Sequence, residues 1–122
     1  MNNSKYLPMQ SRAIWLSTTL GLAATIAALT LMPSGSVPAG THGIDKVYHI
    51  VAFAALITPT ALLRPKWCLH VGCLAIVFGG MIETIQPSFG RSANIWDFLA
   101  DIGGVVIGIS IGRVARRLVL SR

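Results

Sequence analysis

The chain has 122 residues, 53% of them hydrophobic and only 11% charged, a balance too apolar for a water-soluble domain of this size. One domain fills this length, and the apolar runs leave almost nothing for a separate soluble module. The net charge of +6 comes from Lys and Arg confined to short segments between apolar runs, which reads as membrane topology and headgroup contact and argues against nucleic-acid binding.

Residues 1–12 form a basic leader carrying Lys5 and Arg12. The first apolar run, about residues 13–32, has no charge over twenty residues and closes at Pro33-Ser34-Gly35-Ser36, a loop composition. It exceeds the roughly 7–15 apolar residues of a cleaved signal peptide, so a retained helix is expected. The second span covers about residues 47–63, with Pro59 near its end as an expected kink. The third runs over about residues 67–85 and stops at Pro87. Cys68 and Cys73 fall in it about 7.5 Å apart along the axis, beyond disulfide reach, and are expected to be free thiols.

The fourth span, about residues 95–112, is interrupted near its start by Asp97 and Asp101 and is clean only from Ile102 to Gly112. Residues 113–122, with Arg113, Arg116, Arg117 and Arg122, read as a basic tail resting on anionic headgroups. The expected fold is therefore an all-α membrane protein, a bundle of four transmembrane helices. Eight basic residues lie in the leader, in the loop with Arg64 and Lys66, and in the tail, against Lys46 and Arg91 in the other two loops. By the positive-inside rule both termini are cytoplasmic, and Lys46 and Arg91 face outward. His42 falls in the first outer loop, while Trp15, Trp67 and His70 read as cytoplasmic-interface residues.

Under that topology all four acidic residues, Asp45, Glu83, Asp97 and Asp101, gather at the outward ends of spans two to four, joined by His49, Gln86 and Arg91. Helical spacing aims them inward. Asp97, Asp101, Gly104, Gly108 and Gly112 share one stripe of the fourth helix, which suits either homo-oligomerisation or internal packing. Gly72, Gly79, Glu83 and Gln86 share a stripe of the third, and Asp45 and His49 lie a turn apart on the second.

Glu83 and Asp101 sit a turn or more inside the membrane, where a carboxylate is costly and requires a partner or a task. With His49 they form the candidate catalytic set, His49 and Glu83 serving as acid and base. Asp45, Gln86, Arg91 and Asp97 form the candidate ligand-binding set, with Arg91 able to pair with Glu83 or Asp97 or to clamp an anion. Asp97, three residues after Asn94, also fits the plain role of capping the fourth helix and opposing its macrodipole, and Asp45 has the same plain reading at the start of the second. A divalent metal held by the carboxylates and His49 is a variant of the catalytic reading; the pattern names no cofactor. A polar lock that only fixes helix packing is the structural alternative.

The segments Asp45-Lys46-Val47-Tyr48-His49, Glu83-Thr84-Ile85-Gln86 and Arg91-Ser92-Ala93-Asn94-Ile95-Trp96-Asp97, followed by Asp101, Gly103 and Gly104, resemble the VanZ-like family of bacterial membrane proteins. The resemblance covers about residues 44–112, with the D-K-x-x-H, E-x-x-Q and R-S-x-x-x-x-D motifs in the family's order; the first span matches only as a generic helix. It departs at Asp101, where many members are expected to carry Asn, and the acid adds a charge to the pocket. The family takes its name from a protein giving low-level teicoplanin resistance. The resemblance implies residence in the bacterial cytoplasmic membrane and a role with an envelope lipid, glycan or lipid-linked precursor at the outer leaflet, and it implies no particular reaction.

Overall fold

The computed structural model describes residues 7–33 and 42–121. Four helices make up almost all of it: α1 (Leu7–Thr30), α2 (His42–Leu63), α3 (Cys68–Ile85) and α4 (Ile95–Leu120). One-turn 3-10 helices, Pro65–Trp67 and Gln86–Phe89, sit in the two described connections. Four segments, the third of them α3 with the 3-10 turns that flank it, are long and apolar enough to cross a membrane: Ser11–Thr30, Gly43–Leu63, Pro65–Phe89 and Ile95–Leu120. The chain is a four-span integral membrane protein whose outer surfaces meet lipid.

Two boundaries differ from the sequence expectation. α2 starts at His42, five residues before the apolar run, so His42 lies on the helix and not in a loop. α4 continues past Gly112 to Leu120, which puts Arg113, Arg116 and Arg117 on helix rather than in a tail. No Pro or Gly follows Gly112 to stop the helix, and long arginine stems run along apolar surface while their heads reach water. The expected loop residues Ser34 to Ser36, together with Lys5 and Arg122, lie outside the described residues.

α2 and α4 form the tightest seam, and small residues make it so. A Cβ placed on Gly104 would lie 2.5 Å from the Ile50 carbonyl oxygen, and one on Gly108 2.5 Å from the Ala54 carbonyl oxygen. At Gly112 the obstacle would be the Ala61 methyl group. The glycine stripe thus serves internal packing in this chain, and its role as an oligomer interface is set aside because α2 already covers it. The core of Phe53, Leu56, Ile57, Ala75, Ile82 and Val105 joins α2, α3 and α4, with the Phe53 and Phe78 rings 6.1 Å apart.

α1 lies at the edge, and among its described side chains Ile26 alone is buried. Polar ties hold it at both ends. The Trp15 indole N–H donates to Thr60 Oγ1 at 2.9 Å and Arg64 Nη2 donates to Ser11 Oγ at 3.3 Å, while at the other end Gln86 Nε2 donates to the Thr30 carbonyl at 3.2 Å. Trp15, Arg64, Trp67 and His70 therefore gather at one end of the molecule, with ring centroids 6.4 Å apart for Trp15 and Trp67 and 5.5 Å for Trp67 and His70. Arg116 Nη1 donates to the Leu62 carbonyl at the same end, satisfying an acceptor that the end of α2 leaves open. Both cysteines are free, Cys68 buried and Cys73 on the exposed face.

Candidate functional site

The opposite end carries the acids. α2 supplies Asp45 and His49 one turn apart, α3 supplies Glu83 in its last turn, and α4 supplies Asp97 and Asp101 in its first two turns. Asn94 opens α4 as its N-cap, its side-chain oxygen accepting from the Trp96 N–H at 3.0 Å. Asp97 stands in the first turn but is not the cap. Its Oδ1 pairs with Lys46 Nζ at 3.4 Å.

At the centre, His49 Nδ1 lies 2.7 Å from Asp101 Oδ1, with both side chains buried. Gly79 makes room for this arrangement, since a Cβ there would stand 2.6 Å from Asp101 Oδ2. Glu83 Oε2 accepts the Asn94 backbone N–H at 2.9 Å, which ties the end of α3 to the start of α4. His49, Glu83 and Asp101 each bring one ligand-type atom into a group whose members are all within 4.8 Å of one another, and Asp45, His49 and Asp97 form a second such group sharing His49.

The inner and outer carboxylates differ in what satisfies them. Asp97 has Lys46, and Asp45 faces Arg91 Nη2 at 3.8 Å, at the rim. Asp101 Oδ2 and Glu83 Oε1 are buried with neither a hydrogen-bond partner nor a Lys or Arg among the described residues, whereas Asp97 Oδ1, which also makes no hydrogen bond, keeps its ion pair with Lys46. Buried polar oxygens without a partner are uncommon and costly, more so in a membrane.

The structure brings together six of the seven sequence-identified residues on their polar side chains: Asp45, His49, Glu83, Arg91, Asp97 and Asp101. Gln86 is buried beside them in sequence, but its amide turns to α1 and the Thr30 carbonyl. Arg91 meets Asp45 rather than the expected Glu83 or Asp97, because the turn through Gly90, at φ 73°, brings the loop back toward α2. Sequence reasoning missed Lys46 as a partner of Asp97, reading it only as a loop charge. It also missed the backbone of Asn94 as the partner of Glu83, and it gave the capping role to Asp97 where Asn94 holds it.

A groove of about 300 Å³ lies beside this cluster, between α3 and the start of α4. Gly80, Glu83, Thr84, Asn94, Ile95 and Phe98 line it. Glu83 belongs both to this groove and to the buried group with His49 and Asp101. Comparison of the chain with protein-family models, with curated proteins and with solved structures finds no match.

Proposed function

We propose that this chain is a VanZ-like protein of the bacterial cytoplasmic membrane whose acidic end faces outward and binds the polar head of an envelope lipid, glycan or lipid-linked precursor. The observation that carries the reading is the double membership of Glu83. One carboxylate lines a groove of mostly apolar walls and also joins a buried group with an imidazole and a second acid. Such a junction suits an amphipathic ligand, with chain along Phe98 and Ile95 and head at Glu83. The segregation of basic residues to the other end supports the outward orientation, and the D-K-x-x-H, E-x-x-Q and R-S-x-x-x-x-D motifs support the family. The 2.7 Å contact of His49 with Asp101 favours a second reading, in which an imidazole oriented by a carboxylate acts as acid or base on the bound head.

The competing account is a polar lock that only holds α2, α3 and α4 in register. The test compares melting of wild type, Glu83→Gln and His49→Gln in detergent, alongside native mass spectrometry with a polyprenyl phosphate and with phosphatidylglycerol. A binding site predicts variants that melt at or above wild type, and a lipid adduct that Gly80→Leu diminishes by filling the groove. Both variants melting lower by more than about 2 kcal/mol, with adducts unchanged in Gly80→Leu, would establish the lock and remove the binding reading.

A further inference from the structure

The geometry points to a divalent-cation site formed by His49, Glu83 and Asp101, taking one first-row ion such as Mn²⁺ or Zn²⁺. It goes beyond the binding of an envelope ligand and stands without it. Three helices each contribute one donor, and the donor atoms lie within 4.8 Å of one another. An ion with bonds of about 2.1 Å holds three ligands about 3.0–3.6 Å from one another, so side-chain adjustments of about an ångström close the shell.

A second observation, independent of the clustering, points the same way. Glu83 is 7% exposed and Asp101 fully buried, and each keeps one carboxylate oxygen, Oε1 and Oδ2, without a hydrogen-bond partner. With an ion in place of the imidazole proton, His49 Nδ1 and Asp101 Oδ1, 2.7 Å apart, can stand as neighbouring ligands, and Asp101 Oδ2 and Glu83 Oε1 remain as further unmatched acceptors. Charge agrees as well: two carboxylates and a neutral imidazole around a divalent ion sum to zero, which removes the cost of two uncompensated acids inside a membrane. The donor set of one nitrogen and two carboxylate oxygens selects Mn²⁺ or Zn²⁺ over softer ions.

The second group, Asp45, His49 and Asp97, is the weaker host. Its two carboxylates already face Arg91 and Lys46, and the Asp45 side chain is 31% exposed. Three protein ligands leave coordination positions open toward the groove that Glu83 lines, where an oxygen of a bound headgroup could reach the ion.

The experiment uses the full chain in detergent, stripped with EDTA and titrated with Mn²⁺, with the free-ion electron paramagnetic resonance signal as readout. Expected are one Mn²⁺ per chain, displacement by Zn²⁺, and nitrogen coupling from an imidazole in the spin-echo spectrum of the bound ion. Glu83→Gln and Asp101→Asn each weaken binding at least ~10-fold. His70→Ala with Cys73→Ser, which removes donors far from the site, leaves affinity unchanged. No stoichiometric binding, or bound Mn²⁺ without nitrogen coupling in wild type, overturns the assignment even if every variant fails to fold. Losses confined to Asp45→Asn and Asp97→Asn would also overturn it, by moving the ion to the outer group.

Discussion

The sharpest check on the architecture is a pair of neighbouring glycines with opposite surroundings. A Cβ added to Gly103 meets nothing within 4 Å, whereas one added to Gly104 lies 2.5 Å from the Ile50 carbonyl oxygen and 3.0 Å from Phe53 Cβ. Normal contact with that oxygen requires α4 to retreat from α2 by about 0.7 Å. A gap of that size forfeits a quarter to a half of each contact along the seam, and overpacking of this kind costs about 1–3 kcal/mol. Alanine also returns about 0.5–1 kcal/mol of helix preference at either position. Gly104→Ala should therefore be destabilising by about 1–2 kcal/mol and Gly103→Ala stabilising by up to about 1 kcal/mol. Reversible unfolding in mixed micelles, read by helical circular dichroism, measures both. Gly108→Ala should follow Gly104→Ala. If Gly103→Ala and Gly104→Ala agree within about 0.5 kcal/mol, α2 and α4 do not approach as closely as described, and the internal role of the glycine stripe falls with that finding.

Two further outcomes are expected. Thr60→Val strands the Trp15 indole N–H and should cost about 1 kcal/mol, with Trp15→Phe adding little on that background; full additivity in the double mutant would refute the hydrogen bond. In a cysteine-free background, Ser92→Cys in cells should react with a membrane-impermeant maleimide and Lys66→Cys should not, both positions being exposed in their loops; the reverse pattern would invert the orientation and with it the outer-leaflet reading.

How much of this was legible in the sequence depends on whether the signal was local. The spans were readable because about twenty apolar residues have few other uses, and the convergence of acids followed from helical spacing on three elements. Partner choice was not readable. Lys46 follows Asp45 directly, yet it pairs with Asp97 across the seam, and Arg91 reaches Asp45 only because Gly90 turns the chain back. The far end of α4 escaped because a helix can carry arginines into the interface without a break in its backbone bonding. The marginal place of α1 escaped for another reason: a helix apolar on all sides carries no stripe to show which side is packed. The groove was hidden since Phe98 and Gly80, where an added Cβ would lie 3.5 Å from the Phe98 ring, belong to different helices and neither is polar.

The distribution of partners within the cluster bears on what selection has kept there. A lock between helices gains most when each buried acceptor meets a donor, because a half-satisfied polar network in low dielectric is worse than an apolar one. Here Asp45 and Asp97 each face a cation, Arg91 and Lys46, while the buried Glu83 and Asp101 have no Lys or Arg beside them and each keep an oxygen unmatched. Moving Lys46 or Arg91 one turn inward would have been a simple way to close that imbalance for stability alone. Gly79 sharpens the point, because a Cβ there would stand 2.6 Å from Asp101 Oδ2, so the glycine admits the buried carboxylate without giving that oxygen a donor. A group whose rim acids face cations, and whose buried acids keep unmatched oxygens around one imidazole, fits a ligand or cation that completes it better than it fits a lock. On that reasoning, Gly79→Ala should weaken Mn²⁺ binding by displacing Asp101, more than it weakens the fold.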